Sequence, residues 1–213
     1  MRRAFAPAAA MILLAACTPL PSYRYEITVE VETPSGLRTG SSVIEISGHR
    51  EPKLLPDMTG AALNVHGEAA AVDLPNGRTI FALLAGGRSS GGGAASIGVH
   101  LLTAAERASM REFEAGKILG KAQRTVDLPR QAYPLLVTFR DLADPTTIEG
   151  VDPDSTVQFG PGGRLRRITI SSTRKPVTEG IRKRLPWVSE QTPVDVKDPD
   201  GVRVMIGGRV FKS

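Results

Sequence analysis

Cysteine occurs once in the 213 residues, at position 17. A single thiol excludes an intrachain disulfide, a multi-cysteine zinc site and a dithiol redox pair. Aromatic residues make up only 5% of the chain, so a core has to be assembled mainly from Val, Ile, Leu and Ala. Histidine occurs three times, at 49, 66 and 100, and no pair has the i, i+4 spacing of a helical metal site. No apolar run reaches the roughly 18–20 residues of a transmembrane helix. What is present suffices for a folded domain. Apolar residues at 41% and charged residues at 23% place the chain outside the compositionally disordered class. Its length fits one domain.

The amino terminus has the layout of a targeting segment. Arg2 and Arg3 form a basic n-region, residues 4–16 an apolar h-region, and the stretch ends Leu14-Ala15-Ala16-Cys17. A leucine, two small residues and a cysteine resemble the lipobox of bacterial lipoproteins. Small residues let a peptidase reach the backbone, and the thiol is the one group there able to carry a diacylglyceryl thioether. The resemblance implies cleavage before Cys17, lipidation of its sulfur and acylation of its new amino group. Two or more chains anchor durably, since each buried CH₂ contributes about 0.8 kcal/mol. Two other readings stand beside it: an ordinary signal-peptidase site with Cys17 incidental, or a buried apolar helix. On the lipoprotein reading, 1–16 is the signal peptide, 17–22 a tether carrying Pro19 and Pro21, and 23–213 one periplasmic domain. Thr18 rather than Asp follows Cys17, which by analogy with enteric lipoproteins directs the protein to the outer membrane, facing the periplasm. Loss of Arg2 and Arg3 takes the formal charge from +5 to +3, which gives no argument for a nucleic-acid partner.

Beyond the tether, Tyr25, Ile27, Val29 and Val31 alternate with Glu26, Thr28, Glu30 and Glu32, the period of a half-buried strand. Pro34-Ser35-Gly36 is a turn, so 23–47 reads as a β-hairpin. Residues 49–60 read as a loop. Asn76-Gly77 between apolar runs at 63–74 and 79–85 marks a second hairpin. Residues 86–93, five glycines and two serines among eight, read as a flexible loop, and 97–102 as a strand. Thr103-Ala104-Ala105-Glu106 fits a capping box and opens a helix over about 103–115, stopped by Gly116. Strands are expected at 134–140 and 165–171. One short helix is expected within 176–187, and a third hairpin around Asp198-Pro199-Asp200-Gly201. The sum is an α+β fold, strand-rich, with a mostly antiparallel sheet. The stretches YRYEITVEVETPSGLRTGSSVIEI (23–46), YPLLVTFRDLADPTTIEGVDP (133–153) and FGPGGRLRRITI…PVTEGIRKRLPWV (159–188) resemble a group of uncharacterised proteobacterial proteins. That resemblance implies no activity.

Gly87-Arg88-Ser89-Ser90-Gly91 matches G-x-S-x-G, yet more glycines follow it where a hydrolase needs a helix. No acid lies between Ser89 and His100, the last histidine, so the order Ser, Asp, His fails. The loop lacks the Lys and hydroxyl of a P-loop. Asp152-Pro153-Asp154-Ser155 and Asp198-Pro199-Asp200-Gly201 lack the register and closing Glu of a calcium loop and read as turns. No catalytic residue, metal site or cofactor is assigned. The candidate site is electrostatic. Residues 161–185 hold Arg164, Arg166, Arg167, Arg174, Lys175, Arg182, Lys183 and Arg184 against Glu179 alone, +7, which leaves −4 for the rest of the chain after Ala16. On strand alternation Arg164 and Arg166 share a face, with Arg167 opposite. The segment is either a solvated face or a patch for anionic lipid or an acidic envelope protein. The expected function is therefore a non-catalytic, lipid-anchored envelope protein. The rivals are a periplasmic hydrolase with an unrecognised site and a lipoprotein inhibitor or immunity protein.

Overall fold

The computed structural model describes residues 18–51, 60–86, 93–110, 114–188, 193–197, 203–207 and 211. The alternating segment forms the framework. β1 (Pro19–Thr33) and β2 (Gly36–Arg50) pair antiparallel around Pro34-Ser35, and Gly36 takes a φ of 104°, which an L side chain rarely adopts. Tyr25, Ile27, Val29 and Val31 are buried, while Glu26 and Glu32 stay partly exposed on the other face. The hairpin read at 23–47 is thus present and longer at its base. Pro19–Ser22, read as a tether, begins β1: Pro19 pairs with His49, and Leu20 with Gly48. His49 and Arg50, read as loop, end β2.

β3 (Ala61–His66) and β4 (Ala70–Asp73) replace the single run expected at 63–74. Gly67, at φ 147°, breaks that run, and the chain passes from one sheet to another there. β5 (Thr79–Gly86) returns on β4 across Asn76-Gly77, as expected of that dipeptide. β6 (Thr125–Asp127), β7 (Pro134–Phe139), β8 (Ile148–Gly150) and β9 (Arg164–Ser172) follow, then β10 (Pro193–Lys197) and β11 (Arg203–Gly207). One sheet has the order β3-β2-β1-β9-β6, a second β4-β5-β7-β8, and β10-β11 pair by themselves; every pairing is antiparallel. The strand-rich α+β expectation is met. Residues 198–200, the turn of the third hairpin, lie outside the described residues.

Three short helices lie between β5 and β6: α1 (Ala94–Gly98), α2 (Ala104–Ser109) and α3 (Ala115–Leu119). The strand expected at 97–102 is instead α1 continuing into a 3₁₀ turn, Val99–Leu101. Its buried residues, Ala94, Ile97 and Leu101, recur at helical spacing. Gly98 permits this: a Cβ there would stand 2.6 Å from Tyr23 Oη, and Tyr25 Oη donates to Ala94 O at 2.7 Å. The capping box of Thr103 and Glu106 is formed, but α2 ends at Ser109, and Gly116 lies inside α3 rather than stopping a helix. The helix expected in 176–187 is one 3₁₀ turn, Ile181–Lys183.

Two cores result. The first joins Tyr25, Ile27, Val29, Ile44, Leu165, Ile168 and Ile170 of the five-stranded sheet to Val72, Ile80, Ala82, Leu84 and Leu136 of the four-stranded one. The second lies on the other face of the four-stranded sheet. There Phe81, Leu83, Val137 and Phe139 meet Ile181, Leu185, Val188, Val196 and Phe211. β5 alternates between the two, which is why residues 80–84 read as an unbroken apolar run.

Candidate functional site

The cations of 161–185 do not form one free patch. In β9 the register shifts against Glu30 and Val31 of β1, a bulge at Arg166. The extra residue turns Arg166 and Arg167 both away from the core, since Leu165 and Ile168 on either side are buried. This corrects the expectation that Arg167 opposes Arg164 and Arg166. All three then meet the glutamates of β1. Arg164 Nε is 2.7 Å from Glu32, Arg167 Nε and Nη2 are each 3.0 Å from Glu30, and Arg166 lies 3.6 Å from Glu30 and 3.7 Å from Glu32. Lys175 reaches Glu26 at 2.8 Å, and Arg184 holds Asp73 through both nitrogens at 2.7 and 2.9 Å. The Arg184 bond holds the Asp73 carboxyl below its usual range. Among the described residues, Arg174, Arg182 and Lys183 carry no ion pair. Opposite charges facing across strands stabilise the sheet modestly and leave little net field.

Cys17 lies outside the described residues, and the residue after it is tied into the sheet. Thr18 O accepts the Arg50 N–H at 2.9 Å, and Leu20 is buried. α3 closes on this base: a Cβ on Gly116 would fall 1.6 Å from Pro21 O, and one on Gly120 would be 3.4 Å from Ser22 O. The Arg164–Arg167 group sits at the opposite end of β1, about 40 Å along the strand from Pro19 at roughly 3.3 Å per residue.

Beside the base, an open cleft of about 460 Å³ is lined by Leu119, Gly120, Ala122, Gln123, Arg124, Thr125, Ser172, Thr173 and Arg174. β6 and β9 bring these stretches together: Arg124 N–H donates to Ser172 Oγ at 2.8 Å, and Ser172 N–H to Arg124 O at 2.9 Å. Only Arg174 of this set was singled out from sequence. The rest converge through strand pairing across 48 residues, which no local pattern records.

One wall of this region is fixed by Glu106. It accepts from Arg124 Nη1 at 2.6 Å and Nη2 at 2.8 Å, and from the Thr103 N–H at 2.8 Å. The Arg124 bonds first, and the Thr103 N–H second, pull its carboxyl down to about 2. A carboxyl lowered on folding stabilises the protein above its unfolded value of roughly 4.3, and that contribution is lost as pH falls through the folded value. Glu106→Gln should therefore flatten the acid limb of stability between about pH 4.5 and pH 2. Urea midpoints measured across that range check this, and an unchanged limb in the variant would contradict the assignment.

The remaining candidates are scattered. His49 Nε2 lies 3.3 Å from Glu51, His66 is on β3, and His100 is in the 3₁₀ turn, its proton affinity lowered by burial and by Arg107. Among the described residues no three His, Cys, Asp or Glu side chains gather closely enough to hold a metal ion. Glu68, which the sequence showed only as a neighbour of His66, is buried and accepts the Ile181 N–H at 2.8 Å, tying the 3₁₀ turn to the sheets. Asp152 caps its own turn, accepting the Asp154 N–H at 3.0 Å. Ser89 and residues 198–200 lie outside the described residues. Among those residues no helix is long and apolar enough to cross a membrane. No protein-family model matches the chain, and no curated protein or solved structure shows significant similarity to it.

Proposed function

We propose that the chain is a non-catalytic, lipid-anchored binding protein of the bacterial cell envelope, held on the periplasmic side of the outer membrane by acyl chains on Cys17. One observation carries this reading: the chain's sole cysteine completes Leu14-Ala15-Ala16-Cys17, behind a basic n-region and an apolar stretch too short to span a bilayer. The hydrogen bond that ties Thr18 to Arg50 gives it a geometric consequence. With so little free chain, an anchored Cys17 would hold the base of β1, the end of β2 and α3 against the headgroups, leaving the Arg164–Arg167 group far along the strand.

Mass spectrometry of the mature amino terminus is the test. The expected result is an acylated, diacylglyceryl-modified Cys17 as the first residue and recovery in the membrane fraction. Cys17→Ser should abolish the modification and release the protein from membranes. An unmodified Cys17, or a mature chain retaining residues 1–16, would overturn the reading.

A further inference from the structure

We infer that the cleft between residues 119–125 and 172–174 is a binding site for a phosphate-type oxyanion. The lining determines the class of ligand. It holds no carboxylate: Thr125 Oγ1 is bonded to Ser171 Oγ, Ser172 Oγ to the Arg124 backbone and the Arg124 guanidinium to Glu106, and the side chains left to donate outward are Gln123, Thr173 and Arg174. The nearest acid bonded to the lining, Glu106, is neutralised by its two-nitrogen contact with Arg124. Arg174 is exposed and carries no ion pair among the described residues. Every arginine of β9, and Lys175 next to Arg174, is matched to a glutamate of β1. Thr173 Oγ1 accepts the Lys175 N–H at 3.2 Å, which leaves its hydroxyl proton for a ligand. Exposed Lys121, also without an ion pair, adjoins the lining in sequence.

A cationic ligand would be repelled by Arg174 and Lys121, and an apolar one would leave the Arg174 guanidinium and the Thr173 hydroxyl without partners. A compact anion with several acceptor oxygens satisfies both the fork of Arg174 and the hydroxyl donor beside it. Arg124, locked by Glu106 and by Leu101 O at 3.1 Å, keeps the wall in place before any ligand arrives. Such preorganisation reduces the ordering cost of binding.

The site stands on the cleft alone; the source of its phosphate rests on the anchoring reading. A Cβ on Gly120 would stand 3.4 Å from Ser22 O, and Ser22 lies five residues after Cys17, at most about 17 Å of chain at roughly 3.3 Å per residue. On an anchored protein that keeps the cleft close to the headgroups, so a lipid phosphate is the occupant the position favours.

The test uses the full chain with Cys17→Ser, alone and combined with Arg174→Glu or with Arg182→Ala and Lys183→Ala. In the first arm, inorganic phosphate is titrated and amide resonances are followed by NMR. Shifts are expected in 120–125 and 172–174. The affinity should fall about tenfold or more in Arg174→Glu, the weight of one charge-assisted contact, and hold in the Arg182, Lys183 variant. In the second arm, phosphatidylglycerol vesicles are sedimented with the same proteins. Binding that depends on Arg174 assigns the phosphate to a headgroup; Arg174-dependent shifts with inorganic phosphate alone assign it to a soluble compound. No shift in those segments at millimolar phosphate, or equal shifts in Arg174→Glu, overturns the site. Mass spectrometry of wild-type Cys17 reports on the anchor separately, so the two readings fail independently.

Discussion

Phe139→Ala should lower stability by about 3–5 kcal/mol, the range for truncating a buried phenylalanine. For a chain of this size that corresponds to a fall in Tm of roughly 6–20 °C. Phe139 is 3% exposed at the end of β7, and it is the hub of the second core. Its ring centroid lies 5.7 Å from Phe81, edge-on, 5.6 Å from Trp187 and 6.0 Å from Phe211. Paired rings of this kind contribute about 0.5–1.5 kcal/mol beyond the area they bury. Three segments distant in sequence meet around this ring: the four-stranded sheet, the 181–188 stretch and Phe211. Trp187, the only tryptophan, donates Nε1–H to Leu142 O at 2.8 Å and reports on this core alone. Its emission should move to the red in the variant. Val157→Ala, at a site 81% exposed, is the control and should change stability by less than about 0.5 kcal/mol. A Phe139→Ala midpoint within a degree or two of wild type would show that the aromatic cluster is not what fastens the carboxy-terminal segment to the sheet.

The parts of this fold legible in the sequence are those whose chemistry is local. Alternation from Tyr25 to Glu32, Pro34-Ser35-Gly36, Asn76-Gly77 and the Thr103–Glu106 box each specify their own backbone within a few residues, and each appears where read. The parts that misled are those decided by a neighbour far along the chain. Ile97 to Leu101, with β-branched residues at 97 and 99, is helical because Gly98 lets the rings of Tyr23 and Tyr25 approach. Alternation in β9 fails at one bulged residue, and the failure inverts the face of Arg167. The charge count over 161–185 was correct as arithmetic. It does not give the field, because the compensating acids belong to Glu26, Glu30 and Glu32 of β1 and to Asp73 at the end of β4. The cleft was not legible at all, since Arg124 and Ser172 become neighbours only when β6 pairs with β9.

Gly116→Ala tests the base of the fold, where the chain leaves Cys17 and enters the sheet. Propensity alone favours the change, because alanine in a helix is better than glycine by about 1 kcal/mol. Packing opposes it more strongly. The new Cβ would stand 1.6 Å from Pro21 O and 2.5 Å from Pro21 C, both backbone atoms that no rotamer change can move. Overpacking of this kind costs about 1–3 kcal/mol, and more where backbone meets backbone, so the clash decides the sign. The expected result is a net fall in Tm of several degrees, measured against Lys117→Ala. That neighbouring side chain is exposed and, among the described residues, pairs with Glu114 alone, so its loss should be nearly silent. Two further readouts separate a shifted helix from general destabilisation. Displacing α3 moves Leu119 and Gly120, a wall of the cleft, so phosphate affinity should fall at temperatures where the variant is fully folded. It also frees the exposed backbone at Pro21 and Ser22 from the helix packed against it, so proteolysis there should accelerate before global unfolding. A variant as stable as wild type, with cleft and protease resistance intact, would mean that α3 lifts from β1 at no cost, and that the base of β1 does not hold the domain rigidly to the residue that precedes it.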